Sequence, residues 1–167
     1  MKKTSAGLLI YRRHGDKLEV LLVHPGGPFW AKKDDGAWGI PKGEYEEGED
    51  PQTAARKEFE EEIGQAPPPG DYVYLGEMKR SDGKQIKAWA AEGDLDVGEI
   101  KSNTFEMEWP PRSGKTAEFA EVDKADWVEL SRAPAKMHKG QDVFLQRLAE
   151  HLGVQIEPPE PAQSSLF

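Results

Sequence analysis

The chain has 167 residues with 31 acidic and 22 basic side chains, which gives a net charge of −9. This length fits one domain of about 100–200 residues, and the acidic balance argues against binding to a nucleic-acid polymer through its phosphates. Cysteine is absent, which excludes disulfides, thiolate catalysis and cysteine-ligated zinc. No apolar run approaches the ~20 residues needed to cross a bilayer, so we expect a cytoplasmic protein, monomeric or homodimeric, without membrane contact.

The first part of the chain predicts a β-hairpin followed by a long loop. Residues 4–12 and 18–24 are strand-like, and the turn sequence His14-Gly15-Asp16-Lys17 separates them. Residues 25–37 then form a glycine- and proline-containing loop that carries Phe29 and Trp30. Loops of this length are commonly functional or mobile.

A helix is predicted between residues 50 and 64. Asp50 is a favourable N-cap, and Gly64 supplies a stop. Ala55, Phe59 and Ile63 recur at helical spacing and form one apolar stripe. The helix is therefore expected to pack that stripe against the rest of the protein.

Three glutamates lie along the border of this stripe. Glu58, Glu61 and Glu62 are three or four residues apart, and like charges so placed cost roughly 0.2–0.5 kcal/mol per pair. A divalent cation would remove that cost. The alternative is a solvated acidic surface, with Lys57 paired to Glu61 and Arg56 to Glu60 as ordinary salt bridges.

The second half of the chain predicts more strands and one further helix. Residues 72–79 and 85–91 alternate around a Ser81-Asp82-Gly83 turn, and strands are expected at 104–109 and around 127–130. Residues 134–152 have the pattern of one amphipathic helix that Gly153 ends. We therefore predict an α+β fold, an α/β/α sandwich with a mixed sheet, as one domain over residues 1–156 with a flexible C-terminal tail over 157–167.

The segment from Gly43 to Gly64 matches a known pattern. Gly43, five residues, Glu49, seven residues and then KEFEEEIG resembles the Nudix box of hydrolases that cleave nucleoside diphosphates linked to another group. The preceding WGIPKG is similar to the opening of this box in dinucleoside polyphosphate and diphosphoinositol polyphosphate hydrolases. Lys57 stands where the family normally has arginine, and Gln65 where it has an aliphatic residue. The layout also looks like bacterial Nudix proteins described as predicted NTP pyrophosphohydrolases.

The resemblance implies a loop-helix-loop that holds metal and catalyses hydrolysis. Oxygen ligands without histidine or cysteine indicate Mg²⁺ or Mn²⁺. Glu58 or a neighbouring glutamate would take a proton from water. The family also recruits one acidic residue beyond the box, for which Glu121 is the first candidate and Glu118 the second. The implied catalytic residues are Glu58, Glu61, Glu62, Lys57 and Glu121; the metal would be held by Glu58, Glu61, Glu62, Glu121 and the Lys42 carbonyl, with Glu49 and Lys57 holding the ligands in place.

The substrate is expected to be a small-molecule nucleotide. Binding of its phosphates requires cationic side chains, and binding of its base requires an aromatic ring for stacking. The predicted substrate-binding residues are Lys42, Gly43, Lys87, Arg112 and Trp30. Lys79, Arg80 and Lys115 are further cations, and Tyr74, Trp89 and Trp109 are alternative platforms. The resemblance predicts a divalent-metal-dependent hydrolase of a pyrophosphate linkage in a nucleoside polyphosphate or dinucleoside polyphosphate. The alternative is a catalytically weak nucleotide-sensing module on the same fold.

Overall fold

The computed structural model describes residues 4–156 of the protein. The two predicted hairpins and the box helix form as expected, and a short 3₁₀ turn spans Val97–Glu99. The strands are β1 Thr4–His14, β2 Lys17–Pro25, β3 Lys42–Glu44, β4 Val73–Lys79, β5 Gln85–Glu92, β6 Thr104–Glu108, β7 Thr116–Ala120 and β8 Val122–Glu129. The helices are α1 Pro51–Ile63, α2 Ala133–Lys136 and α3 Val143–Leu152.

A mixed sheet of six strands forms the centre of the fold. Its main path runs β4-β5-β1-β2-β8, and the short β3 pairs with β1 beside that path. β1 is parallel to β5 and antiparallel to both β2 and β3. β6 and β7 form a separate two-stranded sheet. The beginning of β1 therefore holds β3, the strand that leads into the box, against the centre of the fold.

Helices cover both faces of the central sheet. Leu8 and Leu9 of β1 point to opposite faces, as successive strand residues do. Leu8 belongs to the core cluster that includes Phe59 of α1, whereas Leu9 belongs to the cluster that includes Phe144 and Leu148 of α3. The protein has the predicted α+β architecture, with helices on the two sides of a mixed sheet.

Several predicted elements differ from the structure. The expected helix over residues 134–152 is wrong as one element, because the chain leaves α2 at Met137 and re-enters a helix only at Val143. The turn between them is held by bonds to distant residues: the backbone N–H of His138 donates to Trp38 O at 2.8 Å. β8 begins at Val122, five residues before the expected strand, and β7 was not predicted.

Two further expectations concern the C-terminal tail and membrane-spanning helices. The C-terminal tail predicted over residues 157–167 lies outside them, and its flexibility stays a prediction. Within residues 4–156 no helix is long and apolar enough to cross a membrane.

Candidate active site

The loop before α1 is fixed tightly against the sheet. The N–H of Leu8 donates to Pro41 O at 3.1 Å, and β3 pairs Lys42 with Gly7 of β1. A Cβ on Gly7 would lie 2.7 Å from Pro41 O, so this close approach requires glycine. The backbone of Lys42 and Gly43 is thereby presented to α1.

Gly43 leaves the space that the Glu58 carboxylate occupies. A Cβ on Gly43 would overlap the Glu58 side chain, including its carboxyl carbon and one oxygen. Glu62 also reaches this loop, because the N–H of Lys42 donates to Glu62 Oε2 at 3.2 Å. Two of the predicted glutamates thus meet the Lys42-Gly43 backbone directly.

The helix forms from local signals and ends where the glutamates lie. The Asp50 carboxylate accepts from the N–H of Thr53 at 3.0 Å, and Gly64 closes the helix with φ 78° in the left-handed region. Glu61 and Glu62 therefore lie in the last turn, at the negative end of the helix dipole, which adds to the unfavourable energy of carboxylates there.

Glu121 is tied to the same end of α1 through one backbone residue. The N–H of Asn103 donates to Glu61 O at 2.9 Å, and the N–H of Glu121 donates to Asn103 O at 2.8 Å. Glu118, the second candidate, lies on β7 opposite Glu106 of β6. Glu121, not Glu118, lines a cavity together with Glu62.

The carboxylates affect one another electrostatically. Burial raises the pKa of Glu58. The nearby carboxylates of Glu61 and Glu121 raise this pKa further, whereas the exposed Lys57 lowers it. Burial raises the pKa of Glu62 to about 8, because its effect outweighs the charge and the backbone hydrogen bond of Lys42, which lower this pKa; Glu121 and Glu58 add smaller increases. Burial is the main cause of both shifts, and the repulsion among the glutamates, which a bound cation would relieve, is a secondary cause.

The donor set fits a hard divalent cation, although its side chains are not drawn together. Within residues 4–156, no three Asp, Glu or His side chains are already gathered at metal-binding distances. The four glutamates nonetheless supply only oxygen donors, the type that Mg²⁺ and Mn²⁺ prefer. Glu58 interacts electrostatically with Glu61 and Glu121, and Glu62 with Glu58 and Glu121.

A cavity of about 470 Å³ opens beside Glu62 and Glu121. We call it the aromatic cavity, because its other walls are Phe29 and Trp30 of loop 25–37 and Phe105 and Met107 of β6. Loop and hairpin also touch at the rim, where Phe29 packs edge-to-face on Trp109 with 5.7 Å between ring centroids. Since Phe29 is 60% exposed, the cavity offers accessible ring surface next to the carboxylates.

His24 anchors the loop that forms one wall of this cavity. It is fully buried, with Nδ1 2.8 Å from Asp123 Oδ1 and Nε2 2.6 Å from Lys33 O. The two ring nitrogens thus contact a carboxylate from the start of β8 and a backbone carbonyl of loop 25–37. Sequence reasoning missed His24, because Asp123 is 99 positions away along the chain.

Other predicted residues lie farther from the carboxylates. The Glu49 side chain accepts from the N–H of Glu46 at 2.8 Å, which shapes the loop before α1. Lys87 on β5 is paired in register with Glu77 of β4. Arg112 is in the tip of the β6–β7 hairpin at φ 59°, and its N–H donates to Glu108 Oε1 at 2.8 Å. None of these three lines the aromatic cavity.

Comparison with known proteins identifies the family of the chain. A family model described as the NUDIX domain matches residues 1–148. The chain belongs to the NUDIX family. This membership identifies the protein as a Nudix-type pyrophosphohydrolase, an enzyme class that generally uses divalent metal ions.

Solved structures share the NUDIX fold with this chain. A C. elegans Ap4A hydrolase binary complex matches with a TM-score of 0.64 at 22% identity, over 89% of this chain and 98% of that one. The NUDIX domain of Shewanella oneidensis NrtR, complexed with ADP ribose, matches with a TM-score of 0.61 at 17% identity, over 91% and 89%. A NUDIX hydrolase from Nitrosomonas europaea matches with a TM-score of 0.57 at 19% identity, over 99% of this chain and 100% of that one. At these identities the likeness is one of fold.

Proposed function

We propose that the protein is a divalent-cation-dependent hydrolase that cleaves a pyrophosphate linkage in a nucleoside polyphosphate or dinucleoside polyphosphate. One observation carries this proposal: Glu62 of α1 and Glu121, the residue before β8, both line a cavity with aromatic walls. Carboxylates without enough compensating cations, next to a platform for a base, suit a substrate that combines a nucleobase with phosphate anions.

In this proposal Glu58, Glu61, Glu62 and Glu121 hold Mg²⁺ or Mn²⁺, and the Lys42 carbonyl is a further ligand. The bound cation would neutralise phosphate oxygens and lower the pKa of the attacking water. Glu58, packed against Gly43, takes the proton of that water on a carboxylate oxygen, a role typically worth ~10²–10⁴ in rate. The charge of Lys57 lowers the pKa of Glu58, which favours the deprotonated form that a general base needs.

The aromatic cavity orients the nucleobase. Trp30 and Phe105 both line it, and stacking on an aromatic ring is worth roughly 1–3 kcal/mol per base. Stacking tolerates all bases, since each has a π-face. Lys87 and Arg112 stay predictions as phosphate ligands, as do the cytoplasmic location, the monomeric or homodimeric state and the single domain over residues 1–156.

Turnover on a nucleotide panel, with and without added cation, tests the proposal. Glu58→Gln and Glu62→Gln should each lower kcat at least ~100-fold. The matched control is Glu60→Gln, which removes a charge from an exposed position of the same helix and should keep wild-type turnover. Chromatography of the products in ¹⁸O-labelled water identifies the attacked phosphorus.

Two results would contradict the proposal. Unchanged turnover in both glutamate variants would remove these carboxylates from the chemistry. Tight nucleotide binding without turnover on any substrate would instead favour the sensing module that the sequence left open.

A further inference from the structure

A second cavity, of about 510 Å³, shares Trp30 with the aromatic cavity and is lined by side chains of the opposite charge. Lys42, Lys79, Arg80 and Lys139 line it, and no acidic side chain does so among the described residues. Asp82 partly compensates Arg80 at 3.2 Å, but both side chains are about half exposed. We call this the cationic cavity. Lys42 is the most buried of the four: burial lowers its pKa, and Glu62, which lies outside the lining of this cavity, offsets part of that effect.

The break between α2 and α3 builds one wall of the cationic cavity. His138, Lys139 and Gly140 lie in this break, and all three line the cavity. The buried Gln141 holds the segment in place, because its side-chain oxygen accepts from the N–H of Ile40 at 3.1 Å. Gly140 has φ 96°, a conformation that favours glycine and cannot continue a helix. Lys139 is therefore presented by a fixed turn.

The cations act on one another across the cavity. His138 packs edge-to-face on Trp30 at 5.0 Å, and its pKa is lowered by burial and then by the charges of Lys42 and Arg80. Residues from β3, from the β4–β5 turn and from the α2–α3 break thus share one positive field. An anion with several charges would relieve this repulsion, as a cation would relieve that of the glutamates.

The two cavities approach each other at Trp30 and near Glu62, one of the candidate metal-binding glutamates. Trp30 lines both of them. Glu62 lines the aromatic cavity, and its Oε2 accepts from the N–H of Lys42, which lines the cationic one. A ligand that crosses the glutamates from one cavity to the other would therefore place an aromatic group at one end and an anionic group at the other.

We propose that the cationic cavity binds the phosphates that extend beyond the scissile linkage, so that the enzyme selects nucleotides with long oligophosphate chains. This inference rests on the proposed function for the position of the scissile linkage. The matching substrate class includes dinucleoside polyphosphates and nucleoside tetraphosphates, whose chains reach past the carboxylates. Arg80 and Lys139 would determine the preference, since they line the cavity from two separate loops, the β4–β5 turn and the α2–α3 break, and neither belongs to the box.

Binding of inorganic tripolyphosphate to metal-free protein tests the cavity without any turnover. Calorimetry should detect binding that weakens steeply as salt is raised. The Arg80→Ala/Lys139→Ala double variant should bind at least about tenfold more weakly, a loss of about 1.4 kcal/mol. The matched control is Lys17→Ala, at the distant β1–β2 turn, which should bind as wild type. No binding by the wild type, or equal binding by the double variant, would overturn the inference.

Turnover then separates this inference from the proposed function. With Mg²⁺, the wild type should favour diadenosine tetraphosphate over ATP in kcat/KM, and the double variant should lose at least about tenfold of that preference through KM. Turnover without chain-length preference, together with no tripolyphosphate binding, would overturn the inference and leave the hydrolase intact. Cavity-dependent tripolyphosphate binding without turnover on any nucleotide would support the anion site and refute the hydrolase.

Discussion

Gly43→Ala should separate catalysis from stability. The added Cβ would overlap the Glu58 carboxylate and no backbone atom is among its three nearest neighbours. The far end of a flexible side chain can rotate away, so the free energy of unfolding should change by no more than about 1 kcal/mol. The displaced Glu58 carboxylate, however, loses its position beside the Lys42-Gly43 backbone.

The catalytic loss should be large. A general base contributes ~10²–10⁴ in rate, and misplacement by about 1 Å can cost 10²-fold. We therefore expect kcat of Gly43→Ala to fall at least ~100-fold while thermal melting stays near that of the wild type. By contrast, Gly7→Ala should lower the melting temperature, because its Cβ would meet Pro41 O at 2.7 Å.

A double-mutant cycle shows whether the loss acts through Glu58. Gly43→Ala should have little further effect on kcat in a Glu58→Gln background, since the displaced group is already inactive there. Turnover of Gly43→Ala within threefold of wild type would refute the reasoning. A full additional ~100-fold loss in the Glu58→Gln background would show that Gly43 acts by another route.

Three further predictions concern charge and packing. The raised pKa of Glu62, about 8, means that the folded metal-free protein holds a proton that the unfolded chain releases near 4.5. Melting experiments should therefore show the free energy of unfolding falling by roughly a few kcal/mol as pH rises from 4.5 to 8, and calorimetry should show Mn²⁺ affinity rising over the same range. Both pH dependences should be flatter in Glu62→Gln. Glu121→Gln should weaken Mn²⁺ binding at least about tenfold, while Glu118→Gln should leave it unchanged. Weaker binding in Glu118→Gln with unchanged binding in Glu121→Gln would identify Glu118 as the metal ligand outside the box. His24→Ala should lower the free energy of unfolding by about 2–4 kcal/mol in urea titrations, because it opens a buried space and removes the partners of Asp123 and Lys33 O; a loss under 1 kcal/mol would contradict its anchoring role.

Features fixed by local signals could be predicted from the sequence. The box helix begins at the N-cap Asp50 and ends at Gly64, because a side-chain cap and a left-handed glycine act within a few residues. The hairpins β1–β2 and β4–β5 follow in the same way from short turn sequences between alternating strands.

Features that depend on contacts with residues distant along the chain could not be predicted from the sequence. The expected helix over residues 134–152 breaks because Trp38 and Ile40 supply hydrogen-bond partners that outweigh its amphipathic pattern. The sequence indicates only some of the basic residues of the cationic cavity: Lys42, Lys79 and Arg80 are candidate phosphate ligands, whereas Lys139 falls within the predicted helix over residues 134–152. Its place in the cavity depends on the broken helix.

Diffraction from crystals soaked in Mn²⁺, measured at the manganese edge, tests the central claim most directly. We predict an anomalous peak within about 2.0–2.3 Å of carboxylate oxygens of Glu58 and Glu62, with Glu121 drawn toward it. A well-ordered crystal with saturating Mn²⁺ and no anomalous peak among these glutamates would contradict the account.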